Sequence, residues 1–348
     1  MRRLYFVVVL VVVLLVVIFK GCTTPTPSSA PAPIQEPTTT AKAKPIELNF
    51  VTFVPLSTPE YAKQFKPLFI DRVNERAKGE LIIIERGGPE VMDRNEIGRA
   101  VQQGLMDMTN CPATMFSSLV PGCATNRLSE VVERDVPGCF EYIQSLYADK
   151  GIYYLGRTQV KGPDFLYLFF NKAFKNFNDL KGRRVGTAGN EFVPYFKALG
   201  MSAMVIPFTE YYPANERGVV DGNASSLSNW FGMGLWEIAP YLLDRPFQRS
   251  PGVHIINMKK WNSIPPHLQQ LLIDVQLEFE KEFPVVYDKF VADVIKTTTE
   301  KKAKLIKLPA DEEKWMMETF YNLSWEEDYN KYPKEIISKL EGMIRKTR

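Results

Sequence analysis

The sequence predicts an α/β protein with two successive lobes, and three observations support this fold class. Segments typical of strands and helices alternate from residue 46 onward, and the alternation restarts after residue 150. A long helical pattern then begins near residue 266. About 300 residues remain once the amino terminus is set aside, enough for two lobes with their own cores. The predicted boundaries are 46–160 for lobe I, with part of 250–285, and 161–250 for lobe II, with part of 286–348.

Residues 1–22 are predicted to be an export signal or a membrane anchor, outside the fold. Two arginines precede the uncharged, almost wholly apolar stretch Leu4–Phe19, and a lysine, a glycine and a cysteine follow. Cleavage before Cys22 would leave that cysteine to carry a lipid, and Gly21 suits the small residue that such cleavage needs. The alternative is an uncleaved helical anchor, for which about 20 apolar residues are usual. Both interpretations export the rest of the chain and tie it to a membrane.

The next segment, residues 23–45, is rich in Thr, Pro, Ala and Ser without an apolar period. We expect an extended, disordered tether here. Residues 1–44 contain five basic residues and one acidic residue, which leaves 38 basic and 39 acidic residues in the body. A nearly neutral body without a basic run offers nothing for nucleic acid to bind.

Strand and helix patterns in the first half follow one another closely. The strand IELNFVTF alternates apolar and polar residues, Ser57 or Thr58 can cap the helix after it, and Gly79 ends that helix. LIIIERGG is a continuous apolar run of the kind that is buried on both faces. The remaining elements expected in this half are a helix over 94–105, a strand at 106–110, irregular chain over 111–136 and a helix over 139–147, together indicating an open, largely parallel sheet.

The second half repeats this organisation. A long helix is expected after residue 266, interrupted by Pro284 and resuming beyond it, and the chain from Pro309 is also helical. The elements expected before them are strands at 152–160, 165–172, 183–188, 204–208 and 219–226, and helices at 191–199, 210–216 and 230–236.

The inventory of reactive side chains is small. One disulfide is possible among Cys111, Cys123 and Cys139. Cys123 is the favoured participant, and the sequence does not indicate which of the other two would pair with it. There are only two histidines, His254 and His267, far apart in the sequence, and no cysteine pair has zinc-ligand spacing. We therefore expect no metal site, no cofactor and no Ser-His-Asp chemistry.

Several ordered motifs resemble those of the solute-binding proteins of TRAP transporters. After MDM at 106–108, the motifs are DLKG at 179–182, ALG at 198–200, EYYPANERGVVDG at 210–222 and NMKKWNSIPPHLQQLL at 257–272. The resemblance implies a periplasmic-binding-protein-like fold, with a long helix crossing both lobes and a ligand cleft between them. It also implies a receptor that does no chemistry, closes on a small-molecule solute and delivers it to membrane permease subunits outside the cytoplasm.

One position departs from the pattern of that family. In the family, DLKG is followed by two residues, an aliphatic one and an arginine that pairs with the solute carboxylate, and counting from Gly182 puts Gly186 there. Arg184 shares a strand face with Gly186 and could reach the ligand, or it could be a solvated charge. A second basic position of the family corresponds to Asp164, which either faces the cleft or occupies a surface turn. A carboxylate ligand would then need another cation, backbone N–H groups or a metal; otherwise the ligand is neutral, and Gly186 leaves room for a bulky or aromatic one.

The candidate ligand contacts combine the family pattern with loops that follow strands. Asn229 is a further polar candidate beside them. The predicted ligand-binding residues are Phe53, Asn110, Tyr167, Phe169, Arg184, Gly186, Asn190, Glu210, Asn223, Ser225, Trp230 and Phe231, with Cys22 as the lipid attachment site.

Two other functions are compatible with the sequence. A secreted, membrane-tethered α/β enzyme would need a tuned acid–base pair, for which Glu90, Asp93 and Glu210 are the clustered candidates. A binding protein that serves a sensor, and never transport, is the other alternative.

Overall fold

The computed structural model describes residues 44–158 and 165–345. The predicted signal or anchor, Cys22, almost all of the tether and Asp164 lie outside these residues. The strands are β1 Ile46–Thr52, β2 Leu81–Gly87, β3 Met108–Pro112, β4 Ile152–Arg157, β5 Tyr167–Phe170, β6 Arg184–Thr187, β7 Ser202–Val205, β8 Gly222–Ser225, β9 Tyr241–Leu243, β10 Gly252–Asn257 and β11 Lys304–Ile306. The α-helices are α1 Arg72–Arg76, α2 Ile97–Gln103, α3 Cys139–Ala148, α4 Val193–Ala198, α5 Tyr211–Glu216, α6 Leu227–Gly232, α7 Leu235–Ile238, α8 Met258–Ser263, α9 Pro266–Thr299, α10 Ala310–Lys331 and α11 Lys334–Ile344.

The strands form two sheets, which confirms the predicted two-lobed α/β class. The first has the order β2-β1-β3-β10-β4 and the second the order β11-β9-β5-β8-β6-β7. In the first, β1 is parallel to β2 and β3, and in the second, β6 is parallel to β7 and β8. The sheets are mixed rather than largely parallel, because β10 enters the first antiparallel to both neighbours and β5 is antiparallel to β8 and β9.

Two local predictions need correction. β2 is not buried on both faces, since it is the edge strand of its sheet and Ile82 is 38% exposed. The helix expected after β1 begins with two π-helical stretches, Tyr61–Phe65 and Pro67–Asp71, before α1. Its inward aromatic face is as expected: Phe65 and Phe69 are buried.

Helix α9 joins the cores beside the two sheets. Its first part, from Leu268 to Tyr287, packs against β1 and β2 in one apolar cluster, whereas Val294 packs with Phe169 of β5 in another. Pro284 does not interrupt it, although a helix was expected to break there. Proline removes one i→i−4 hydrogen bond, but buried rings on both sides of it, Phe283 and Tyr287, hold the helix in the core.

The carboxyl-terminal helices pack back onto the body. In α10, Met316, Phe320 and Trp325 lie in the core beside the second sheet, and in α11 Leu340 lies in the core with Val253 of β10. A buried ion pair fixes α10: the Arg127 guanidinium bonds the Asp328 carboxylate, with Nη1–Oδ2 at 3.0 Å.

The described cysteines form no disulfide. Cys111, Cys123 and Cys139 are all buried free thiols, so the disulfide that the sequence allows, with Cys123 as its favoured partner, does not form. The Cys123 Sγ instead donates to the Ala113 carbonyl oxygen, and burial raises the pKa of all three thiols. Among the described residues, no helix has the length and apolarity needed to cross a bilayer.

Candidate functional site

A cavity of about 450 Å³ lies where parallel strands of both sheets end. Ligand crevices in α/β folds form outside the carboxyl ends of strands, and known ligand pockets have about this size. Its walls come from the last residues of β1, β2 and β3 of the first sheet or the chain directly after them, and from the corresponding parts of β6, β7 and β8 of the second. The residues with these origins are Phe53, Val54, Pro89, Arg94, Pro112 and Thr114 from the first, and Thr187, Ala188, Gly189, Pro207, Phe208, Ser225 and Ser226 from the second.

The wall is mostly apolar, with a few polar groups. Phe165, Phe192 and Met233 add further apolar surface. The Ser225 hydroxyl accepts a hydrogen bond from Asn229 Nδ2 at 3.0 Å, and the Thr187 hydroxyl is buried without a protein partner. Such a wall suits an organic molecule with a substantial apolar body.

Arg94 is the one cation among the described residues that line this cavity. It lies on the loop between β2 and α2, and its guanidinium is 5.4 Å from the centroid of the Phe208 ring, which belongs to the opposite wall. A cation–π contact uses the face of the guanidinium, so its in-plane N–H donors remain able to pair with a carboxylate. Arg94 was not among the predicted ligand-binding residues, although it lies on a loop after a parallel strand, where such residues were expected.

Glu60 is a second ionisable group in the wall. It directly precedes the π-helical stretch Tyr61–Phe65, and its side chain hydrogen-bonds Ser228 of α6, another residue of the cavity wall. Burial raises the pKa of Glu60 from 4.5 to about 7, while the hydrogen bond with Ser228 lowers it less. Near neutral pH this carboxyl group therefore exists in both protonation states.

The two arginines after DLKG do not line the cavity. The Arg183 guanidinium donates to the carbonyl oxygens of Lys172, Ala173 and Asp179 at 2.7–2.8 Å. Arg184 is exposed and pairs with Asp221, through Nε–Oδ2 at 3.0 Å and Nη2–Oδ1 at 2.8 Å, which lowers the pKa of Asp221. The structure therefore favours the surface-charge interpretation of Arg184.

Gly186 is buried in β6, and the space beside it, which was expected to admit a ligand, is occupied by other side chains. A Cβ atom at this position would overlap Asn223 Nδ2 and lie 2.9 Å from Ile206 Cδ1. Asn223 is itself buried and held by Asn215, whose Nδ2 donates to Asn223 Oδ1. The space expected to admit a bulky solute is thus filled by protein.

Of the twelve predicted contacts, the structure brings three to cavity walls. Phe53 and Ser225 line the main cavity, and Asn110 lines a smaller one that adjoins it. Trp230, Tyr167 and Phe169 are buried in the core with Phe231 packed against them, and the Trp230 Nε1 donates to the Ala239 carbonyl. Asn190 and Glu210 are exposed, and Glu210 pairs with Arg217 at 3.5 Å. Thus Tyr167, Phe169, Trp230 and Phe231 contribute to packing, and Asn190 and Glu210 to the surface.

The carboxylates considered for acid–base chemistry have local structural partners. Glu90 accepts from the Gly88 backbone N–H at 2.7 Å, and Asp93 accepts from that of Asn95 at 2.8 Å. Within residues 44–158 and 165–345, no three His, Cys, Asp or Glu side chains lie close enough together to hold a metal ion.

Comparison with known proteins places this geometry in context. A profile of the DctP family, bacterial extracellular solute-binding protein, family 7, matches residues 50–331. A Haemophilus influenzae protein is 29% identical over 179 residues, which are 49% of this chain and 52% of that protein, so the match spans about half of that relative's length. The Escherichia coli 2,3-diketo-L-gulonate-binding periplasmic protein YiaO is 24% identical over 221 residues, 59% of this chain and 64% of its own.

Solved structures show the same fold. A TRAP periplasmic solute-binding protein from Desulfovibrio salexigens, with bound orotic acid, superimposes with a TM-score of 0.71 at 18% identity. The match covers 86% of this chain and 98% of that one.

Proposed function

Because this chain belongs to family 7 of the bacterial extracellular solute-binding proteins, we propose that it is the solute receptor of a TRAP-type importer. It captures a small organic solute between its lobes and presents it to membrane permease subunits outside the cytoplasm. The observation that carries this proposal is the cavity of about 450 Å³, whose walls come from strand ends of both sheets. The relative that binds 2,3-diketo-L-gulonate and the similar structure with orotic acid support a small organic acid as the class of solute.

Arg94 is the group that holds the carboxylate of this acid. It is the one cation among the described residues of the cavity wall, and a mostly apolar cavity would disfavour a carboxylate that has no partner. The rings of Phe53, Phe165 and Phe208 in the same wall favour a solute with an apolar body. The solute is therefore an apolar organic acid rather than a sugar or a free amine.

The receptor acts while tied to the membrane. Its amino-terminal residues support this part of the proposal: Cys22 follows a long apolar stretch and is the site of lipidation, and the alternative is an uncleaved anchor. Metabolic labelling with a fatty acid, compared between the full chain and Cys22→Ala, separates the two forms of attachment.

Thermal unfolding of the body from residue 46 in the presence of candidate solutes tests the receptor function. The panel contains apolar monocarboxylates, hydroxy acids, sugars and amines at equal concentrations. A ligand at a hundredfold excess over its Kd stabilises the folded state by about 2.7 kcal/mol, which raises Tm visibly. We expect the apolar acids to raise Tm most. If sugars or amines stabilise the protein and no acid does, the proposed solute class is wrong.

A further inference from the structure

A second, deeper space adjoins the main cavity and extends into the first lobe. It has a volume of about 50 Å³ and shares wall residues with the main cavity, among them Phe53, Glu60 and Phe165. We call it the deep recess; the residues that line it and not the main cavity are Thr52, Tyr61, Phe65, Asn110, Thr158, Gly252, Phe283 and Tyr287. Because some wall residues line both spaces, the deep recess lies next to the main cavity.

Aromatic side chains held by the core form most of this recess. The Tyr61 and Phe65 rings stack with centroids 5.3 Å apart, and Phe283 and Tyr287 of α9 stack at 5.9 Å. The Tyr61 hydroxyl donates to Glu85 Oε1 at 2.6 Å, so its polar atom already has a partner. The recess therefore offers a solute rigid apolar walls.

Asn110 supplies a polar group without a protein partner. Its side chain is 7% exposed, and its Nδ2 is buried without a hydrogen-bond acceptor. Gly252 accommodates this side chain, since a Cβ there would lie 2.5 Å from Asn110 Oδ1. A buried amide donor without an acceptor is costly, and a ligand atom that accepts its hydrogen bond recovers that cost.

We propose that the deep recess binds the far end of the solute, and that this end carries an uncharged hydrogen-bond acceptor, such as a ketone or ether oxygen, facing Asn110. This inference rests on the proposed function, which places the carboxylate of the same solute at Arg94. The solute is thus an elongated monocarboxylate with an apolar middle and one polar, uncharged group near its other end.

The charges around the recess exclude a second carboxylate there. No lysine or arginine lies among the described residues of its wall, so a second anion would lose its hydration without gaining a cation. Glu60 lines both spaces and carries a carboxyl group. In its ionised form Glu60 would repel an anionic far end of the solute.

Matched pairs of acids test this inference by calorimetric titration. The probes are straight-chain monocarboxylates of increasing length, each compared with the acid of equal length that carries a ketone on its penultimate carbon. At the length that reaches the recess, the keto acid should bind about threefold to tenfold more tightly, as expected from one neutral hydrogen bond. Asn110→Leu should abolish this preference, and Asn190→Leu, a matched change at an exposed position outside both cavities, should retain it.

The outcomes separate the inference from the proposed function. If acids bind the unsubstituted protein but keto and plain acids bind equally at every length, the recess assignment is wrong and the receptor function stands. If the preference survives in Asn110→Leu, Asn110 is not the donor and the assignment is also wrong. If no acid of either series binds, the proposed solute class is wrong, and the inference fails with it. The comparison within the unsubstituted protein decides the question even if Asn110→Leu does not fold.

Discussion

Gly186 shows how a single residue shapes the second lobe. It is in register with Asn223 on the neighbouring strand β8, and the Asn223 side chain occupies the space that a side chain at 186 would need. Asn223 is buried and bonded to Asn215, so it cannot easily move aside. The glycine is therefore a packing requirement of this sheet.

We expect Gly186→Ala to destabilise the protein by about 1–3 kcal/mol, the usual cost of overpacking a core. Gly232→Ala is the matched control, because a Cβ at that helical position has no atom within 4 Å. Urea unfolding of both variants measures the difference. Equal stability of Gly186→Ala and the unsubstituted protein would show that the two strands can separate at no cost.

Glu60 gives the stability of the receptor a specific dependence on pH. Burial raises its pKa to about 7, so between pH 4.5 and 7 the folded state binds more protons than the unfolded chain. The stability contributed by this group is therefore present at acid pH and is lost as the pH rises through about 7. Glu60→Gln keeps the shape of the side chain and removes the titration.

We expect the Tm of the solute-free protein to fall relative to that of Glu60→Gln between about pH 5 and pH 8. Thermal unfolding of both proteins in the same buffers measures this difference. A difference in Tm that stays constant over the whole range would mean that Glu60 has an ordinary pKa.

At the scale of elements, α10 depends on a buried ion pair. Arg127 and Asp328 are 7% and 1% exposed, and Arg127 also donates to the Ala124 carbonyl at 2.7 Å. Burial raises the pKa of Asp328, and the charge of Arg127 acts in the opposite direction. Removing one charge of such a pair leaves the other buried without compensation.

Asp328→Asn should therefore reduce the free energy of unfolding by about 3–5 kcal/mol. Glu313→Gln, on the same helix but paired with the exposed Arg245, should cost less than about 1 kcal/mol. Urea denaturation measures the free energy of unfolding of both variants, and the two values are comparable if their m values are equal. A cost for Asp328→Asn as small as that for Glu313→Gln would show that the ion pair does not hold α10.

Helices and strands could be predicted from the sequence where the local pattern of apolar residues was strong. The alternation in IELNFVTF and the helical spacing of the apolar residues after Pro266 predicted β1 and α9 well. The pairing of strands was harder to predict. β10 belongs to the first sheet, although β5–β9, which precede it in the sequence, belong to the second, and no local sequence pattern indicates this. The continuity of α9 through Pro284 likewise depends on tertiary packing.

At the scale of the whole molecule, the sequence predicted the class of the site better than its residues. Order and spacing of motifs predicted two lobes and a cleft, where Phe53 follows β1 and Ser225 ends β8. Phe169 and Trp230 are aromatic, as expected of a ligand wall, but both are buried in the core. Phe169 lies on a strand, where a shift of one residue in register exchanges the two faces, and no local pattern decides which face is turned to the cavity. Arg94 was missed because its loop becomes part of the cavity only when the opposite lobe brings Phe208 to it.

If the cavity between the lobes holds an organic acid through Arg94, removing that charge should weaken binding. Calorimetric titration of the acid that most raises Tm, against the unsubstituted protein, Arg94→Gln and Arg184→Gln, measures this effect. A charge-assisted hydrogen bond contributes about 1.5–3 kcal/mol, so Arg94→Gln should weaken binding by roughly tenfold to more than a hundredfold. Arg184→Gln, at an exposed position paired with Asp221, should leave the Kd unchanged. Unchanged affinity in Arg94→Gln, or a loss confined to Arg184→Gln, would contradict the account.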